Sequence, residues 1–288
     1  MFKGAPLSTA SASIPPRIDE PFLSHIPEFL RDCGIPVKSR LSSHWTTLNG
    51  LRLHSRESAR VQGVPFLLIH GLVISSLYMI PLAECLAVHH SVHALDLPGF
   101  GKSDGSASAL SIPELAQAVV DWMDARGIEK CHLVANSLGC QICAHLAAEY
   151  PSRVVSLTLI GATIDPDAPG LALQIFRLLK DALREPPRLW SSWLFDFGRA
   201  GLGLALGTVR HMFKDRIEKV LPLIPAPTLI IRGENDPTMP MRWAQEAAEL
   251  TPNSRFISIP GEAHCVHYSA PKTVTVELLA HARTSSRG

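Results

Sequence analysis

The sequence predicts a single α/β domain, a mostly parallel twisted sheet with helices on both faces, interrupted by a helical insertion. Three observations carry this expectation. Short continuous apolar runs, the pattern of strands covered on both faces, alternate with longer helical stretches. Ahead of that alternation Asn49-Gly50 lies between two strand-like runs, the strongest short hairpin signal available. The alternation then stops between about residues 165 and 221 before it resumes.

Each element follows from its residues. Residues 1–40 are rich in Ser, Ala and Pro and predict an N-terminal extension with one short amphipathic piece, Pro21 to Cys33, packed on the domain surface. The core is expected over 41–164 and 222–288. His44 to Leu48 and Leu51 to His54 form the hairpin arms, and Pro65 to His70 and Ser91 to Asp96 the next strands, with a helix over Ser76 to Val88 between them. Ile112 to Arg126 is helical, with Ser111 as N-cap, Pro113 and Glu114 in its first turn and Gly127 at its end. Cys131 to Ala135 is a buried strand followed by a helix from about Leu138 to Tyr150. Val154 to Ile160, Thr228 to Arg232 and Arg255 to Ile259 are further strands, and Lys272 to Ala282 closes the domain as a helix. The insertion, 165–221, is helical in tendency, with Leu171 to Leu183 as one helix, and carries Trp190, Trp193, Phe195 and Phe197. Because it falls between two strands, it is expected to cover their carboxyl ends as a lid, where open α/β sheets bind ligands. Ordinary core helices are the alternative.

Composition narrows the function classes. Of 288 residues, 46% are hydrophobic and 18% charged, enough for a sizeable core. A formal net charge of +1 offers no broad basic face for nucleic acid. The six cysteines are scattered rather than spaced as a disulfide framework, which fits reduced thiols in a cytoplasm. No stretch approaches the roughly 18 apolar residues of a membrane span, and the start lacks the apolar run of a secretory signal. A homo-oligomer is compatible with the sequence. No metal or other cofactor is expected. Cys140-x-x-Cys143 lies inside a helix with no second ligand pair, so it reads as two small buried residues one turn apart, and His89, His90 and His93 sit at the sheet end opposite the candidate site.

Four segments carry chemistry. His132 to Cys140 is a strand, a sharp turn with Ser137 at its apex, then a helix; small residues two before and two after (Ala135, Gly139) let strand and helix backbones meet, and the helix start aims amides at a developing anion. Ser137 as a plain helix N-cap is the alternative. His70-Gly71-Leu72 ends a neighbouring strand, so the Leu72 and Leu138 N–H groups can form a two-donor oxyanion hole. Asp236 stands just past the strand Thr228 to Arg232, where a carboxylate can accept an imidazole Nδ1–H; Glu234 is the rival acid, and a turn-forming Asp before Pro237 the plain account. His264 follows the strand at Arg255 to Ile259 in a small-residue loop, with His267 as rival base. Each feature alone is modest; all four at strand carboxyl ends point to nucleophilic catalysis by Ser137, His264 and Asp236.

With His70-Gly71, Asp96-Leu97-Pro98-Gly99-Phe100-Gly101-Lys102-Ser103, Ala135-Asn136-Ser137-Leu138-Gly139, Gly233-Glu234-Asn235-Asp236 and Gly261-Glu262-Ala263-His264, residues 44–282 resemble the α/β-hydrolase fold family, in its lid-bearing branch of small bacterial hydrolases. The resemblance implies an eight-stranded sheet with an antiparallel second strand, and a serine hydrolase acting through an acyl-enzyme. Ala135 and Cys140 depart from the family's frequent glycines. The expected substrate is a hydrophobic small molecule with a carboxylic ester bond, with Asn136, Trp190 and Trp193 as candidate substrate contacts. Hydrolysis of a carbon–carbon bond in aromatic ring-cleavage products is the runner-up: Asn136 fits it, whereas Cys265 stands where that group usually has tryptophan. A ligand-binding receptor or scaffold of low turnover is the rival from another class.

Overall fold

The computed structural model describes residues 39–285, apart from Ala107 and Pro169. The amphipathic piece expected at Pro21 to Cys33 lies outside the described residues.

The hairpin forms where Asn49-Gly50 predicts it. Strands β1 (Ser42–Leu48) and β2 (Leu51–Glu57) pair antiparallel with Leu48 opposite Leu51. Asn49 at φ 49° and Gly50 at φ 84° supply the two positive φ values that a two-residue hairpin turn with right-handed twist needs. Strands β3 (Phe66–Ile69), β4 (Val92–Leu95), β5 (Cys131–Asn136), β6 (Val154–Ile160), β7 (Thr228–Gly233) and β8 (Ser254–Ile259) complete an eight-stranded sheet in the order β1-β2-β4-β3-β5-β6-β7-β8. Every pairing from β4 to β8 is parallel, and β2 alone runs against the rest. β3, β4 and β5 are buried throughout, as apolar runs covered on both faces should be.

The helices are α1 (Ile80–Leu86), α2 (Ile112–Ala125), α3 (Leu138–Glu149), α4 (Leu171–Ala182), α5 (Pro187–Lys214), α6 (Ile217–Val220), α7 (Met241–Leu250), α8 (Val266–Ser269) and α9 (Pro271–Ser285). α2 packs on α3, and α1 on α9; right-handed crossovers set these pairs on opposite faces of the sheet. α2 opens with a capping box: the Ser111 N–H donates to Glu114 Oε2 (2.7 Å), and Ser111 Oγ accepts from the Glu114 N–H. The segment expected to be one helix from Ser76 is instead a 3₁₀ turn, Ser76–Met79, leading into α1. Pro81 accounts for the break, because it lacks the N–H that would bond the Leu77 carbonyl, and the Ile80 N–H bonds that carbonyl instead in a 3₁₀ pattern. α7 was not among the expected helices. It is anchored by buried Trp243, whose Nε1–H donates to the Ala162 carbonyl at 2.9 Å.

From β3 the chain passes to β4 on one side and then, through α2, to β5 on the other. The order therefore reverses between β3 and β5, and such a switch point opens a crevice at the carboxyl ends of the strands. Ile69 lies opposite Ala135 there, so His70-Gly71 and Asn136-Ser137 leave the sheet side by side. Helices α4, α5 and α6 occupy the chain between β6 and β7.

Candidate active site

Ser137 sits between β5 and α3 at φ 56° and ψ −122°, a conformation that side chains with a Cβ rarely adopt. The backbone is held there by its N–H, which donates to the Ile160 carbonyl at 3.0 Å. Gly139 shows why the turn needs a small residue: a Cβ at this position would stand 2.7 Å from the carbonyl oxygens of both Ile69 and His70. The hydroxyl of Ser137 makes no capping bond to α3. The N–H of Leu138 is the first of that helix, with no helical carbonyl four residues earlier to accept it.

The loop that follows β3 is braced from three directions. His70 Nδ1 bonds the Gly71 carbonyl (2.8 Å), while its Nε2 accepts the Leu97 N–H (2.9 Å), which fixes a neutral Nδ1–H tautomer. Burial pushes this imidazole below its ordinary pKa, consistent with a neutral ring. The Gly71 N–H donates to Tyr78 Oη (2.7 Å), and Tyr78 in turn donates to Asn136 Oδ1 (2.7 Å). Asn136 Nδ2 donates to the carbonyls of Ile160 (3.1 Å) and His264 (3.4 Å). Asn136 is therefore a buried tie between the serine turn and the histidine loop. Tyr78 was not singled out in the sequence; its signal is a tyrosine in an otherwise apolar stretch, whose buried hydroxyl needs a partner.

His264 Nδ1 lies 2.8 Å from Asp236 Oδ2. The other carboxylate oxygen of Asp236 accepts the Thr238 N–H and hydroxyl (2.7 Å each) and the Met239 N–H (3.1 Å). Burial alone would raise the Asp236 pKa, but the His264 charge and these hydrogen bonds outweigh it and hold the group ionised. The rivals are separated by geometry. Glu234 is exposed and accepts the Gly261 N–H at 2.8 Å, bracing the loop rather than the imidazole. His267 is fully buried, has no hydrogen bond at either ring nitrogen, stacks edge-on against Tyr78 at 4.5 Å, and is pushed down by burial to about 3.

His264 Nε2 is buried with no hydrogen-bond partner among the described residues, including Ser137 Oγ. Gly161, at the end of β6, presses against the ring: a Cβ there would fall 2.6 Å from both Cε1 and Nδ1 of His264, and φ is 59°. Replacing Gly161 by Ala should therefore cost about 1–3 kcal/mol of stability and push His264 off Asp236. The denaturation midpoint, with the His264 ring resonances as reporter, measures both effects; an unshifted midpoint would refute the steric account.

Two carboxylates from the segment between β6 and β7, Asp181 on α4 and Glu185 in the turn after it, also reach this loop. Asp181 Oδ1 accepts the His264 N–H (3.1 Å), and Glu185 Oε1 accepts the Cys265 N–H (2.7 Å). Desolvation lifts Asp181 to about 6 and Glu185 to about 7. Burial works against a charge on His264, but Asp236 first, then Asp181 and Glu185, reverse this and push it up to about 9. The pH dependences share one sign but occupy successive windows, because all three groups hold their protons more tightly folded than unfolded. The His264 contribution to stability is complete below its unfolded pKa and is lost as pH rises through the raised folded one. Asp181 and Glu185 bind protons more tightly folded than unfolded, so each lowers stability as pH rises from the ordinary carboxylate range to about 6 and 7. Asp181→Asn with Glu185→Gln should bring the His264 titration down toward the ordinary imidazole range, as read by NMR of the ring protons. An unmoved titration would remove these carboxylates as its cause.

Trp190 and Trp193 are on α5, 44% and 46% exposed; the Trp190 Nε1–H donates to the Ala182 carbonyl (2.9 Å), and the Trp193 ring lies 6.5 Å from that of Phe197. Neither has a hydrogen bond to Ser137, Asp236 or His264 among the described residues. Cys140 and Cys143 are both fully buried on α3. No helix among the described residues is long and apolar enough to cross a membrane.

Comparison with known proteins bears on this arrangement. A family model described as the alpha/beta hydrolase fold matches residues 64–218, and one described as TAP-like protein matches 210–282. A pimeloyl-[acyl-carrier protein] methyl ester esterase of Aeromonas hydrophila is 26% identical over 250 residues, covering 76% of this chain and 95% of the relative. Among solved structures, a thermophilic esterase from Thermogutta terrifontis superposes with a TM-score of 0.71 at 20% identity, over 85% of this chain and 99% of its own. The enol-lactonase from Burkholderia xenovorans LB400 gives 0.70 at 19% identity, over 83% and 99%.

Proposed function

Because the chain belongs to the alpha/beta-hydrolase fold family and is an enzyme of that type, we propose that it hydrolyses a carboxylic ester of a hydrophobic small molecule, with Ser137 as nucleophile, His264 as base and Asp236 as orienting acid. The observation that carries this reading is the buried Asp236–His264 pair, tied through Asn136 to the serine turn and leaving only Nε2 of the imidazole open. Ser137 Oγ attacks the ester carbonyl as its proton passes to Nε2. The carbonyl oxygen, now an oxyanion, rests on the Leu72 and Leu138 N–H groups. The imidazolium then protonates the departing alkoxide as the C–O bond breaks, and water releases the acid from Ser137 by the same route. Since the base must start neutral and its pKa is raised, kcat/KM should climb on the alkaline side of neutrality.

The helices over 165–221 act in this reading as a lid. Support comes from where they touch the core: Asp181 and Glu185 on the His264 loop, Asp196 Oδ2 accepting from Ser75 Oγ (2.7 Å), and the Arg199 Nε–H donating to the Gly101 carbonyl (2.8 Å). Each partner follows the carboxyl end of a strand. A cytoplasmic setting is part of the same reading, supported by Cys131, Cys140 and Cys143, buried as free thiols.

The test is a stopped-flow assay with p-nitrophenyl esters of graded acyl length, alongside labelling by a fluorophosphonate. An acyl-enzyme gives a burst of about one nitrophenol per chain, stoichiometric label on Ser137, and a preference for medium chains. Absence of both burst and label would overturn the proposal.

A further inference from the structure

The inter-strand helices are amphipathic in the inverted sense. On α4 the polar residues Gln174 and Asp181 are buried, while Phe176, Leu179 and Leu183 are 61%, 63% and 80% exposed. The first half of α5 repeats this: Ser192 and Asp196 are buried, whereas Trp190, Trp193 and Leu194 face outward. The inversion has a local cause, because Asp181, Glu185 and Asp196 are turned inward to bond the core loops. An apolar helix face spread over two neighbouring elements is more than the scattered exposed leucines of an ordinary surface, and marks an interaction site.

Charge identifies the occupant. Every acidic residue within 171–201 is one of those three buried groups, whereas Lys180, Arg184 and Arg188 are exposed. The outer face is thus apolar, basic and furnished with tryptophan. A second copy of the same face would bring like charges together. An anionic phospholipid surface complements all three properties: acyl chains take the leucines, the headgroup boundary takes the indoles, and the phosphates take the cations. We propose that the face formed by α4 and the first half of α5 docks on an anionic lipid surface. This does not depend on the roles given to Ser137, Asp236 and His264.

The test is sedimentation of the full chain with phosphatidylglycerol–phosphatidylcholine vesicles, with phosphatidylcholine vesicles as comparison. Expected is binding that is at least about tenfold weaker without the anionic lipid, and weaker in about 1 M salt, where screening shortens the Debye length to about 3 Å. Leu179→Ser with Leu183→Ser should weaken it by about tenfold or more, and Lys180→Glu should lower it further, while melting temperature and turnover of a water-soluble ester stay unchanged. Failure of the parent chain to sediment, or equal sedimentation of parent and double variant, overturns the proposal. So does a concentration-dependent dimer that the same double substitution dissolves without any vesicle binding, which assigns the face to a second copy.

Discussion

Ser137→Ala is expected to lower kcat for aryl esters by about 10⁵-fold or more, to abolish the burst, and to leave the fold intact. The two accounts of this serine differ in what its loss does. A helix cap contributes about 1 kcal/mol of stability and nothing to turnover. A nucleophile contributes almost all the turnover and little stability. Ser137 makes no side-chain bond to the amides of α3, so the cap account has no bond to lose. Its φ of 56° is a strain that Ala inherits, so the folded state should change by well under that 1 kcal/mol. A modest residual rate above water is expected, because the Leu72 and Leu138 amides and the binding site remain. The measurements are single-turnover kinetics and a thermal melt on the same preparation. Retained turnover with a lowered melting temperature would return Ser137 to the cap account and end the proposed mechanism.

What could be read from the sequence and what could not follows the range of the interactions. The fold class was legible because strand burial, the Asn49-Gly50 turn and the Ser111–Glu114 cap are decided by neighbouring residues. Asp236 and His264 were nameable because each follows a strand in a loop with its own small-residue signature. The small-residue loop before His264 favoured it over His267, whereas what Glu234 and His267 touch is contact geometry that spacing cannot supply. The segment Asp96 to Ser103 is legible as a pattern, but its physical reason is not. Buried Asp96 accepts from the Ser76 N–H and the Lys102 N–H and bonds His54 Nδ1, while a Cβ at Gly101 would collide with its carboxylate. The contacts that escaped are long-range. Glu185 and Cys265 are 80 residues apart, and Asp181 and His264 are 83 apart. The amphipathic pattern of α4 gave its period but not its direction, since the rule that apolar faces turn inward fails where buried carboxylates hold the His264 loop. Trp190 and Trp193, expected as substrate contacts for being aromatic residues of the insertion, are nearly half exposed.

Asp236→Asn should lower kcat by about 10⁴-fold with substrate binding little changed. The carboxylate does two things to His264, and the amide can do neither. It accepts the Nδ1–H at 2.8 Å, which leaves the lone pair on Nε2, the atom that must take the Ser137 proton. An amide can instead turn its NH₂ toward Nδ1, stabilising the tautomer with the proton on Nε2 and so disabling the base. The backbone makes that orientation favourable: the Thr238 and Met239 N–H groups need an acceptor at the Oδ1 position, which leaves the NH₂ to face Nδ1. The carboxylate also carries the largest charge interaction favouring the imidazolium. Its removal should move the His264 titration to lower pH, so the alkaline rise in kcat/KM of the residual activity begins earlier. A merely structural Asp236 predicts the reverse signature, with lost stability, a pH profile fixed in place and kcat within tenfold of the parent. Two observables therefore decide the role: the tautomer, read from the ¹⁵N shifts of the His264 ring, and the midpoint of the pH–rate profile.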